Sequence, residues 1–183
     1  VVVGGTASDG IDVRFAVARF TAAGALDTTF SGDGRQTVPV DLGGGANLSF
    51  GGMAVDRFGR VVLAGVAATS GGSRAVVVRL TSGGILDTGF GGGDGIADFA
   101  YGAGDDVATV TDVIALTPPS DRLAVLGDYT PGGGDSSDGF LFVLTAAGAF
   151  DTTFNHTGKK SFAPASGSPT RGTSPRRRSP PCR

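Results

Sequence analysis

TAAGALDTTF at residues 21–30, TSGGILDTGF at 81–90 and TAAGAFDTTF at 145–154 are three copies of one marker in a chain of 183 residues. A recurrence of about 60 residues defines a supersecondary unit that buries its apolar faces by stacking on its neighbours, the logic of propellers and solenoids. The correspondence extends beyond the marker. Residues 1–30 align on 61–90 without a gap, with 13 identities that include Val1, Val2, Gly5, Arg14, Arg19, Gly24, Leu26 and Asp27. The third copy needs small insertions beside Gly91, near Pro118 and Pro119, and within Tyr129 to Gly139, so its marker follows the second by 64 positions. Insertions at Gly, Pro and Asp clusters are what loops between preserved strands show.

One period contains four short strand-like runs, Ser49 to Val55, Val61 to Ala67, Ala75 to Thr81 and Ile96 to Tyr101, separated by turn-rich links. No stretch carries a sustained helical period with caps. The expected fold is all-β, built of four-stranded antiparallel blades in the manner of a β-propeller. Val61-Val-Leu-Ala-Gly, Ala75-Val-Val-Val and Phe140-Leu-Phe-Val are apolar at nearly every position, which places these strands inside, covered on both faces by adjacent blades. The fourth run reads Arg35-Gln-Thr-Val-Pro-Val in one copy and Lys159-Lys-Ser-Phe in another, a polar, proline-interrupted outer edge.

The marker has a structural reading. Gly24, Gly84 and Gly148 supply positive φ in a tight link. Asp27, Asp87 and Asp151 fold their carboxylates onto nearby backbone N–H groups, and Phe30, Phe90 and Phe154 pin the link to the core. The competing reading is calcium, because Asp27 with Asp33, and Asp87 with Asp94, put two carboxylates on one glycine-rich loop. The third copy has Asn155, His156 and Thr157 where its second acid belongs, and no stretch has the spaced Asp-x-Asp-x-Asp-Gly order of a calcium loop, so turn chemistry is preferred.

The Gly-x-Leu-Asp-Thr-x-Phe marker, the glycine-rich turn after it and the pair Ala54-Val-Asp-Arg-Phe-Gly-Arg-Val-Val-Leu-Ala-Gly resemble the delta-60 repeat family of bacteria, a β-propeller-type domain of unknown function. The resemblance covers residues 1 to about 162. It implies a bacterial protein that is secreted or displayed on the cell surface, and it brings no established catalytic residues. The second copy departs at Thr111-Asp-Val-Ile-Ala-Leu-Thr-Pro-Pro-Ser-Asp-Arg-Leu, where a proline pair stands in place of Asp-Arg-Phe-Gly.

About eleven strands amount to fewer than three blades, while closed propellers usually have about four to eight. Residues 1–162 therefore read as an open arc and a fragment, opening on Val1 at the point equivalent to Val61. Its apolar flanks need cover from missing blades of the same chain or from self-association. Residues 163–183 are rich in Pro, Ser and Arg and hold the only cysteine, Cys182. A disordered basic tail, a partnerless solvated end and a frameshift product are the three readings of that segment.

All 17 acidic residues are Asp, and residues 159–183 hold seven of the 15 basic ones, leaving 8 basic against 17 acidic before them, a net of −9. This balance argues against nucleic acid as a partner of the repeats. No apolar run reaches the length of a spanning helix. The single histidine, His156, sits in a turn; no Gly-x-Ser-x-Gly elbow occurs; and Gly91-Gly-Gly-Asp-Gly lacks the lysine of a phosphate loop. Arg19 and Arg79 recur at one position, but Val143 replaces them in the third copy. No catalytic residue and no cofactor is assigned. The expectation is a non-enzymatic extracellular or surface scaffold for binding or adhesion, taking a glycan or protein through blade loops such as Ala68 to Arg74 and Tyr129 to Gly139. The alternative is a piece of a larger propeller enzyme whose central site lies outside this chain.

Overall fold

The computed structural model describes residues 1–102, 106–116, 121–131 and 137–163. Eleven strands run through them: β1 Val2–Ser8, β2 Val13–Arg19, β3 Arg35–Val38, β4 Gly43–Val55, β5 Val61–Thr69, β6 Gly72–Leu80, β7 Ile96–Phe99, β8 Asp106–Ala115, β9 Leu123–Thr130, β10 Asp138–Leu144 and β11 Lys159–Phe162. They form three antiparallel sheets, ordered β1-β2-β3, β4-β5-β6-β7 and β8-β9-β10-β11. The chain is thus an all-β, propeller-like arc of one three-stranded and two four-stranded blades. No helix of the described residues is long and apolar enough to cross a membrane.

The blades stack through their first strands. β4 lies against β1 and β2, and β8 lies against β4, β5 and β6. β5 and β6 show why their sequences are apolar throughout. Their alternate side chains serve two separate cores: Leu63, Ala67, Val76 and Val78 face the first blade, while Val62, Ala64, Ala75 and Val77 face the third. Strand geometry forces this split, since successive side chains point to opposite faces. Complete burial of a Val or Leu stabilises by about 1.5–3 kcal/mol, so the central blade is tied to both neighbours along its length. The second core is also aromatic, with Phe99, Phe142 and Phe150 in mutual contact and Tyr101 stacked on Tyr129 at 4.0 Å between centroids.

β3, β7 and β11 are sheet edges, in keeping with the polar sequences of β3 and β11, while β7 is Ile96-Ala-Asp-Phe with Ala97 and Phe99 buried. Three strands run longer than the sequence indicates. β4 starts at Gly43, because Gly43 pairs with Thr69 before the register slips, and β5 and β6 extend to a hairpin whose last pair is Thr69 and Gly72. β4 and β8 cross closely at Gly51, where a Cβ would stand 2.1 Å from the Val110 carbonyl oxygen. Only glycine permits that approach. The proline pair Pro118–Pro119 and residues 164–183 lie outside the described residues.

Candidate functional site: the joint between blades

The marker folds the same way each time. Thr21 N–H donates to Ala25 O at 2.8 Å, Thr81 N–H to Ile85 O at 2.8 Å and Thr145 N–H to Ala149 O at 2.8 Å, closing a link whose glycine has φ of +81°, +87° and +85° at Gly24, Gly84 and Gly148. The chain then returns, with the Asp27, Asp87 and Asp151 N–H groups donating to the carbonyls of Arg19, Arg79 and Val143. Each carboxylate caps the next turn. Asp27 Oδ1 accepts from Thr29 N–H at 3.1 Å, Asp87 Oδ1 from Gly89 N–H at 3.0 Å, and Asp151 Oδ1 from Thr153 N–H at 2.9 Å. This is the Asx geometry that short acidic side chains adopt.

Phe30 and Phe90 lie in the two hydrophobic cores, and each also fastens one blade to the next. A Cβ on Gly84 would lie 2.9 Å from the Phe30 ring, and one on Gly148 2.7 Å from the Phe90 ring. Each ring therefore fills the space that the following marker's glycine leaves open. Beside it, Ser31 N–H donates to Gly83 O at 2.7 Å, and Gly91 N–H donates to Ala147 O at 3.1 Å. Phe30 and Phe90 are fully buried; Phe154 is only partly so.

Arg19 and Arg79 complete the joint. Arg19 Nε donates to Asp27 Oδ2 at 2.8 Å and its Nη1 to Ser82 O at 2.5 Å; Arg79 Nε donates to Asp87 Oδ2 at 2.8 Å and its Nη1 to Ala146 O at 2.5 Å. Each guanidinium also lies over its own marker ring, at 4.9 Å from Phe30 and 4.6 Å from Phe90. In the third copy, where valine stands at the arginine position, Arg122 donates to Asp151 Oδ2 at 3.1 Å instead. Arg122 is the counterpart of Arg60, which approaches Asp87 at 3.9 Å. Sequence reasoning missed this substitute because it comes from just before the blade's second strand, and only the arginine preceding Leu123, as Arg60 precedes Val61, signals it.

The charges of the central joint form one network. Arg60 binds Asp56 and lies over the Phe58 ring, and Arg57 makes a two-pronged pair with Asp121 of the third blade at 2.6 and 3.0 Å. Burial and the nearby Arg60 cation press the Arg79 guanidinium below its ordinary value, opposed by Asp87. Burial would raise the Asp87 carboxyl, but the Gly89 N–H and Arg79 outweigh it and hold it below the usual 3.8. The Thr29 and Thr153 side chains, then their N–H groups, lower Asp27 and Asp151 in the same direction. The arrangement fixes blades to one another and holds aspartates ionised.

The calcium candidates are placed apart in function. Asp33 Oδ1 accepts from Arg35 N–H and Asp94 Oδ1 from Ile96 N–H, each at 2.9 Å, while Asp27 and Asp87 are occupied by arginine. Among the described residues no group of three His, Cys, Asp or Glu gathers as a metal site would require. His156 is an exposed turn residue with φ of +60°, where the other copies have Gly32 and Gly92 at +86° and +87°. His156→Gly is therefore expected to stabilise the protein by about 1 kcal/mol or less in a denaturant titration, by relieving a left-handed non-glycine residue.

At the opposite end of the blades the arrangement is more open. Ala68 to Arg74 forms strand ends with only Ser70 and Gly71 in the turn, and so is a short hairpin where the sequence reads as a loop. Residues 132–136 of the Tyr129 to Gly139 segment lie outside the described residues. A cleft of ≈ 310 Å³ opens here, lined by Val13 of the first blade and Leu48, Ser49, Val66, Ala68 and Ser73 of the second.

Residues 1–30 and 59–90 match the domain of unknown function (DUF5122) beta-propeller. No curated protein and no solved structure matches the chain. The two matched segments each end at the marker phenylalanine and contain the parts that build the joint, and the match to a beta-propeller domain of unknown function is consistent with the likeness to delta-60 repeats.

Proposed function

We propose that this chain is part of a non-enzymatic repeat scaffold, secreted or held on a bacterial surface, that binds a glycan or a protein at the blade ends away from the marker. The observation that carries this reading is the division of labour between the two ends. At the marker end, the arginines and aspartates are engaged in joints. At the other end, the cleft beside the Ser70–Gly71 turn has a lining that changes from copy to copy: Val66 corresponds to Thr6 in the first blade and Asp128 in the third, and Ala68 to Ser8 and Thr130. Variable residues on a constant frame are how loop-bearing scaffolds acquire specificity. A cleft of ≈ 310 Å³ is at the small end of ligand sites, near the size of a monosaccharide or one side chain.

A glycan array tests it with two variants: Ser73→Trp, which fills the cleft, and a chain with residues 131–137 replaced by a short Gly-Ser link. The expected result is a parent profile that one or both variants lose, with melting temperatures within about 2–4 °C of the parent, the shift of a change near 1 kcal/mol. An array that the parent does not bind, or a profile both variants keep, would overturn glycan recognition at this end.

A further inference from the structure

The two joints between blades differ where the edge strand meets the next marker. In the first joint Gln36 of β3 reaches across: its Nε2 donates to Gly84 O at 3.0 Å, and its Oε1 accepts from Thr37 N–H at 3.0 Å. Ala97 of β7 holds that position in the second joint, because Gln36 pairs with Val17 and Ala97 with Val77, which correspond in the gapless repeat. The rest of the joint is preserved, with Phe90 against Gly148 and the Gly91 N–H donating to Ala147 O at 3.1 Å. Gly148 is buried like Gly84, yet its carbonyl accepts no hydrogen bond from the described residues. Buried carbonyls are nearly always paired. The Asp98 N–H, counterpart of the Thr37 N–H, points out from the sheet edge on the same side as the Ile96 N–H, which Asp94 Oδ1 takes. A cleft of ≈ 250 Å³ opens at this place, lined by residues that include Ala97, Asp98 and Phe99 of β7 and Ala147, Gly148 and Ala149 of the next marker. In the first joint the cleft lies outside Gln36 and its lining includes no residue of the second marker, so the Gln36 side chain closes that passage.

We propose that the cleft between β7 and the third marker is a binding site for a primary carboxamide, presented as a glutamine side chain by a partner polypeptide. The first joint displays the same group bound from within the chain, as the Gln36 amide on Gly84 and Thr37. A carboxamide joins N–H donors and a carbonyl acceptor in one planar group. The cleft offers the complement, with the Gly148 carbonyl for a donor and the Asp98 N–H for the acceptor. Ala97 and Phe99, 8% and 7% exposed, form an apolar wall for the methylenes that precede the amide. The charge of the lining selects the source. Its one ionised group is the Asp98 carboxylate, paired with Arg74 at 2.7 Å, and the described lining carries no cation. The α-carboxylate of free glutamine would meet a like charge there, whereas a glutamine within a peptide is neutral. Both walls of the cleft belong to complete four-stranded blades, and the site lies at the marker end, away from the cleft beside the Ser70–Gly71 turn.

The test is an amide NMR titration of the intact chain with a capped Ser-Gln-Ser peptide, beside the same peptide with glutamate in place of glutamine and beside free glutamine. Expected is saturable binding of the glutamine peptide alone, with a Kd on the order of 1 mM, the strength of a small fragment, read as shifts at the Asp98 and Ala149 amides. Ala97→Gln, which supplies the amide from the chain itself, is expected to weaken binding about tenfold or more. Gln36→Ala is expected to do the reverse and add a second site, with new shifts at Thr37 and Ile85, and this gain keeps the outcome decisive if Ala97→Gln folds poorly. Equal binding of the glutamate peptide, no saturable shift at Asp98 and Ala149, or a Gln36→Ala chain without a second site would each overturn the proposal. Free glutamine binding as tightly as the peptide would overturn the polypeptide as its source.

Discussion

Phe90→Ala is expected to destabilise the protein by about 3–5 kcal/mol, the range for truncating a fully buried aromatic. Phe154→Ala, the same change in the third marker, is expected to cost about 1 kcal/mol. Both rings close the same Gly-x-x-Asp-Thr-x-Phe turn, so the difference is assigned to what faces each ring. Phe90 is fully buried, lies under the Arg79 guanidinium, and occupies the space beneath Gly148 of the next blade. Phe154 is partly buried. Guanidinium unfolding of the two variants beside the parent measures the gap. Equal costs would mean that the aromatic acts within its own blade and that the contact with Gly148 contributes little.

That example also marks where the sequence is legible. The all-apolar runs of β5 and β6 reveal strands covered on both sides, because burial on two faces removes the usual alternation. Arg35-Gln-Thr-Val and Lys159-Lys-Ser-Phe reveal the edges, because unpaired backbone invites charge. Glycine with positive φ and the aspartate caps follow from local backbone chemistry and are readable at a single position. Contacts between copies are different. A repeat's sequence carries the same period whether Phe30 touches its own glycine, Gly24, or the next one, Gly84, so periodicity alone cannot choose between them. Arg122 is hidden for a related reason: from just before β9 it supplies Asp151 with the partner that Val143 on β10 cannot, and no local pattern links the two. The crossing at Gly51 likewise depends on Val110, a residue of another blade.

The second large effect concerns charge in the same joint. Asp87→Ala is expected to cost about 3–5 kcal/mol, because it leaves a buried guanidinium without its counter-ion. Arg79 is 3% exposed, and its remaining partner across the joint is the Ala146 carbonyl, while Arg60 adds a second cation nearby. Asp27→Ala is expected to cost less, since the Arg19 and Asp27 side chains are 21% and 25% exposed and water can replace the lost carboxylate. Replacing both partners, as in Arg79→Met with Asp87→Ala, is expected to recover much of the loss, because a buried pair exchanged for apolar groups is often nearly neutral. The pair's coupling then follows from the double-mutant cycle. Acid provides an independent reading. The Asp87 carboxyl is held below its ordinary 3.8 in the folded chain, so its contribution is present above that value and is lost as pH falls through the lower folded one. Asp27, Asp121 and Asp151 are depressed in the same sense, so the parent loses stability below about pH 4 and the Asp87→Ala chain loses less over the same window. Unfolding free energies of both chains at neutral pH and near pH 3 decide it: parallel declines would show that the Asp87 carboxylate contributes no more to the joint than an exposed aspartate does.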